Sequence, residues 1–146
     1  MRQSISRLFL VGLGSLTLAA CGGGGSAGTT ETVAAGVLTC AGTPLAPEPE
    51  LPAAFPRPEG LTYVESKVQG PTTIVGGYYE GGLEDAYKAY KAGFEQAGYT
   101  ILFDEREQED AEVSYKDAAG VTSGQVALRA KCDNGNVSVR ITNRPA

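Results

Sequence analysis

Leu83 to Ala97 reads LEDAYKAYKAGFEQA, and Gly98 to Asp104 continues as GYTILFD. Leu83, Ala86, Tyr87, Tyr90, Phe94 and Ala97 recur at steps of mostly three and four, which places them on one face of an amphipathic helix. Glu84 and Lys88 form an i,i+4 pair on the opposite side, and Gly98 suits the left-handed position just past a helix end. The period then changes from three and four to two. Tyr99, Ile101 and Phe103 alternate with Thr100, Leu102 and Asp104, so a strand leaves the helix at once.

Reading outward from this helix gives the rest of the domain. Upstream, Leu61 to Val68 (LTYVESKV) and Thr72 to Tyr79 (TTIVGGYY) are rich in strand formers, with Gln69-Gly70-Pro71 between them as a turn. Gly76-Gly77 predicts a bend or bulge in the second strand. Downstream, Ala111, Val113 and Tyr115 alternate, as do Val126, Leu128, Ala130 and Cys132, and then Val137, Val139 and Ile141. Ala119-Gly120 marks one turn, and Asp133-Asn134-Gly135-Asn136 marks a tight hairpin. The expected fold is α+β: a small two-layer domain, β-β-α-β-β-β-β, with one helix packed on an antiparallel sheet over residues 61–146.

The remainder of the chain reads as delivery rather than core. Met1 to Ser6 is short and polar, Arg2 and Arg7 supply positive charge, and Leu8 to Ala20 is apolar and uncharged. That stretch is too short to span a bilayer and fits the apolar region of a signal peptide at 1–20. Leu18-Ala19-Ala20-Cys21 resembles the lipobox of bacterial lipoproteins. The resemblance implies cleavage before Cys21, acylation of its thiol and amine (palmitate being a usual acyl chain), and a membrane anchor. The location implied is extracytoplasmic, at the outer membrane or the outer face of the cytoplasmic membrane. Two or three acyl chains hold a protein to a membrane durably where one does not. The mature part, with its proline strap running into FPRPEG and its helix ending in AGY, is also similar to small secreted bacterial lipoproteins, a likeness that carries no activity with it.

Residues 21–31 form a Gly-rich tether, and the spacing that would cradle a phosphate is missing from it. Residues 32–60 follow: Thr32 to Cys40 is apolar enough to add a short edge strand, and Pro44 to Pro58 holds six of the eight prolines. Such a stretch favours extended polyproline II and forbids helix. Pro44-x-x-Pro47 and Pro49-x-x-Pro52 match a minimal SH3-ligand pattern, but a stiff strap pinned to the core by Phe55 is the simpler reading. With Cys21 lipidated, Cys40 and Cys132 are the remaining pair. In an exported protein they are expected to form a disulfide, the alternatives being buried free thiols or a reducing partner.

Composition narrows the chemistry. The 146 residues include neither His nor Trp, and the formal net charge is −5. Without His, Ser–His–Asp triads and His-ligated zinc or haem are excluded within the chain. A serine nucleophile would need a Lys base, and no S-x-x-K motif occurs after the leader. Of the 12 basic residues two (Arg2 and Arg7) lie in the leader, leaving ten against 17 acidic residues, a net of −7. That sign disfavours nucleic acid. No metal site and no cofactor are expected. Asp104, Glu105, Glu107, Glu109, Asp110 and Glu112 crowd the run DEREQEDAE, which reads as a solvated strand end rather than a Ca²⁺ loop, because the EF-hand spacing is absent. Asn136-Val137-Ser138 matches a glycosylation sequon of little weight in a bacterial protein.

Three functions compete. The first is a lipid-anchored interaction or accessory module without catalysis, meeting an envelope protein or glycan through its sheet face and Tyr78/Tyr79. The second is a small-ligand binder using a helix–sheet cleft, and the third a carboxylate-based hydrolase. Adjacent strand residues point to opposite faces, so one of Tyr78 and Tyr79 should face away from the core.

Overall fold

The computed structural model describes residues 37–146, which fold as one helix on a six-stranded antiparallel sheet. The elements are β1 (Leu61–Gln69), β2 (Thr72–Tyr79), α1 (Leu83–Gln96), β3 (Thr100–Arg106), β4 (Asp110–Lys116), β5 (Thr122–Arg129) and β6 (Val137–Pro145). Their order along the chain is the expected one. In space it is β1-β2-β6-β5-β4-β3, so the last strand inserts between the first hairpin and the β3–β5 meander. Consecutive strands pair through short turns, and only the β2–β6 pairing joins distant parts of the chain.

The helix forms where its apolar period predicts. Leu83, Ala86, Tyr90 and Phe94 are its buried residues. Its first turn carries Glu84 and Asp85, which suit the positive end of the helix dipole. Gly98, at φ +77°, terminates it in a conformation that an L side chain adopts only under strain. Alternation does the rest: Val113, Tyr115, Val126, Leu128, Val137, Val139 and Ile141 all belong to the buried core and are at most 1% exposed. Phe94 stacks on Tyr115 at 4.6 Å, and Phe55 meets Phe94 edge-on at 5.4 Å.

Four details differ from the sequence reading. The alternation of Tyr99, Ile101 and Phe103 breaks at a bulge in β3 that skips Leu102, so Phe103 pairs with Ser114 and is 52% exposed instead of sharing the face of Ile101. The bulge signalled by Gly76-Gly77 lies in β1, where the register skips Val64 between Tyr63 and Glu65, and not in β2. Gly77 accommodates it, because a Cβ there would collide with the Thr62 carbonyl. Residues 37–40 form no strand, and the rest of the Thr32–Cys40 segment lies outside the described residues. The core does not start at Leu61 either. α1 contacts β3, β4 and β5. Leu45, Leu51 and the buried Phe55 join the core from the strap, which belongs to the same compact unit as the sheet. The strap thus acts as part of the covering layer, held to the β1 edge where the Leu45 amide donates to the Tyr63 carbonyl at 2.9 Å.

Candidate functional site

One sheet face carries the core, and the other carries no helix. Register assigns the members of this open face. Thr62, Tyr78, Ser138, Arg129 and Asp110 form one cross-strand row, and Glu65, Gly76, Arg140, Ala127, Glu112 and Glu105 a second. Lys67, Ile74, Thr142, Gln125, Ser114 and Phe103 form a third. Arg144, Ser123, Lys116 and Thr100 form the last row, at the end far from Cys132.

Near Cys132 the β6 part of this face is covered by residues 39–40. Cys40 and Cys132 are joined by a disulfide with Cα atoms 5.5 Å apart, the pairing expected from the sequence. Asn134 and Asn136, in the turn expected before β6, both donate side-chain amides to the Cys40 carbonyl at 2.9 Å. The Thr39 amide donates to Ser138 Oγ at 2.9 Å, leaving Ser138 buried. Tyr78 opposes Ser138 on the same half. Tyr79 turns the other way and packs against the core. The two tyrosines are both half-buried and lie on opposite faces, so they do not form one surface.

The acidic run divides in the same manner. Asp104 points towards α1, where Tyr87 Oη donates to it and Lys91 Nζ approaches to 2.8 Å. The Lys91 ammonium, then the Tyr87 hydroxyl, holds the Asp104 carboxyl below its ordinary range, and Asp104 in turn pushes the Tyr87 hydroxyl up. Arg106 pairs with Glu84 at 2.8 Å, tying β3 to the helix a second time. On the open face Arg129 bridges Asp110 at 3.1 Å and Glu112 at 2.7 Å, and Gln125 donates to the other Glu112 oxygen. Glu105, Glu107, Asp110, Glu112 and Arg129 line a cleft of about 220 Å³ there. Arg129 sits among these acids, and among the described residues no group of three or more acids is arranged to hold a metal ion.

The far half of the open face is uncovered. A groove of about 440 Å³ crosses it, lined by Thr72, Leu102, Ser114, Gln125, Thr142 and Arg144, with Ser123 between them. Leu102 and Phe103 are 59% and 52% exposed at its β3 end. Of the ten cations in the described residues, Lys67, Lys116, Arg140 and Arg144 reach no carboxylate among those residues. All four occupy the open face. None of these residues stands out by motif. Those on β4–β6 show in the sequence only as the polar partners of strand alternation, and only the pairing register brings them together with Lys67, Thr72 and Leu102.

The leader, Cys21 and the tether lie outside the described residues. The chain matches no protein-family model, no curated protein and no solved structure.

Proposed function

We propose that this chain is an extracytoplasmic lipoprotein, anchored in a membrane through acylated Cys21, that works as an interaction module and not as an enzyme. The observation that carries the interaction reading is the contrast between a filled interior and an uncovered sheet face. The space between α1 and the sheet holds Tyr90, Phe94 and Tyr115 with no exposed surface, which favours this reading over a ligand held between helix and sheet. The carboxylates tied to Lys91 and Arg129 lend no support to an acid–base pair, since a general acid needs a raised pKa and Asp104 is held low. The anchor rests on the leader: apolar length, small residues and Cys21 in sequence.

Two experiments test the two parts separately. Cys21→Ser should move the protein out of membrane fractions or leave it unprocessed; wild-type protein that is soluble with an unmodified N-terminus contradicts anchoring. A photo-crosslinking residue at Ser123, on the open face, should yield adducts in intact cells, whereas one at the exposed Ala92 of α1 should not. Equal yields from both positions, or none from Ser123, contradict an open-face module.

A further inference from the structure

We infer that the half of the open face far from Cys132 binds an anionic oligosaccharide laid across the strands. The inference rests on the interaction reading above and names the partner's chemistry. Charge is the first reason. The chain carries an excess of acid, yet the cations that meet no carboxylate among the described residues share this one face. The two rows farthest from Cys132, running through Lys67 to Phe103 and through Arg144 to Thr100, contain no Asp or Glu. The next row holds Arg140 together with Glu65, Glu112 and Glu105, and Arg129 pairs with Glu112 there. Within the two far rows a ligand meets Lys67, Lys116 and Arg144 and no acid, which steers an anion in and repels a cation.

The second reason is the polar lining. Thr72, Ser114, Ser123 and Thr142 offer hydroxyls, Gln125 an amide and Arg144 a guanidinium. Hydroxyls donate and accept, so a row of them matches a polyhydroxylated chain, and a guanidinium matches a carboxylate or phosphate in a two-pronged geometry. Phe103 and Leu102 give an apolar platform at one end, as a sugar ring face requires. Thr72 on β2 and Leu102 on β3 are separated by four interstrand steps, about 19 Å at ordinary sheet spacing, which calls for an oligomer and not a single sugar.

Competing partners fit less well. A peptide that joins a sheet as an added strand is held by main-chain bonds to a free strand edge. The groove instead crosses β6, β5 and β4, each paired on both sides. An acidic motif is recognised by a cluster of arginines, whereas Arg144 is the one arginine among the described residues that line the groove. A bilayer surface is flat and does not enter a groove.

The test uses the full mature chain and measured binding of oligogalacturonate, with neutral dextran, polyglutamate and phosphatidylglycerol vesicles as comparators. Oligogalacturonate is expected to bind with an affinity that falls as salt rises. Arg144→Gln should weaken it about tenfold, the scale of losing one charge-assisted hydrogen bond. Arg57→Gln, on the strap, should leave it unchanged. Equal or tighter binding of polyglutamate or of the vesicles, or equal affinity for dextran, overturns the inference, as does an undiminished Arg144→Gln variant or no oligogalacturonate binding at all. If adducts from Ser123 in cells persist while oligogalacturonate fails to bind, the glycan inference falls and the interaction reading stands.

Discussion

The two faces of the sheet come from the same strands at alternate residues, yet they are built to opposite rules. The inner face joins Val75, Val113, Tyr115, Val126, Leu128, Val139 and Ile141 to an aromatic cluster, with charge only at its β3 edge, where Asp104 and Arg106 reach α1. The outer face sorts its charges: Arg129 bridges Asp110 and Glu112 near the cystine, while Lys67, Lys116 and Arg144, which meet no carboxylate among the described residues, lie towards the other end. Stability and recognition are thus separated by one residue along each strand. Substitutions on the inner face should act on folding, and those on the outer face on binding.

The largest expected effect falls on the strap. Phe55 is 3% exposed and touches Phe94, Tyr99 and Tyr115, so Phe55→Ala should cost about 3 to 5 kcal/mol in urea unfolding. A loss under about 1 kcal/mol would show that the strap merely rests on the core. Next comes the cystine, which closes a separation of 92 residues. Replacing Cys40 and Cys132 by Ser should cost about 2 to 5 kcal/mol, and two alkylatable thiols in freshly isolated wild-type protein would refute the bridge.

The inner face also carries a pH signature. Burial pushes the Tyr63 hydroxyl up to about 12 and raises those of Tyr90 and Tyr115 as well. Each phenol is neutral when folded and ionises more easily in the unfolded chain, near pH 10. Their contribution is therefore complete below about pH 10 and is lost as pH rises through the folded values. Stability should fall above about pH 10, by on the order of 2 kcal/mol from Tyr63 alone before pH 12. A pH-titration of unfolding free energy that stays level from pH 9 to 12 would contradict the burial of these hydroxyls.

The smallest difference sharpens the comparison most finely. Tyr79 packs on the core and Tyr78 opposes Ser138 on the outer face. Tyr79→Ala should cost about 1 to 3 kcal/mol, and Tyr78→Ala about 0.5 kcal/mol or less. The reverse order would mean that the strand register is wrong.

Much of this was legible in the sequence because periodicity is a local property. Steps of three and four placed Phe94 and Tyr90 inside, and alternation placed Val113 and Val139 there, so element order and the α+β class followed. What was illegible depends on pairing between distant segments. Nothing local tells β6 to insert beside β2, and without that register Arg140 and Arg144 cannot be aligned with Lys67 or Lys116. Phe55 was visible as an anchor, but Leu45 and Leu51 sit among prolines with no period to reveal that the strap supplies part of a layer. The Gly76-Gly77 pair did signal irregularity, although the extra residue proved to be Val64 on the neighbouring strand. Tyr78 and Tyr79 divided as alternation requires, but the groove lies farther along the face than either.

The division of labour between the faces is tested most directly by measuring urea stability and open-face crosslinking together for Phe94→Ala and Phe103→Ala. Phe94 has no exposed surface and Phe103 is half exposed at the groove's β3 end. Phe94→Ala is expected to lose about 3 to 5 kcal/mol, while Phe103→Ala stays within about 0.5 kcal/mol of wild type. Phe103→Ala should nevertheless lose most of the adducts formed from Ser123 in cells. A Phe103→Ala protein that unfolds, or that keeps every adduct at wild-type yield, contradicts the account.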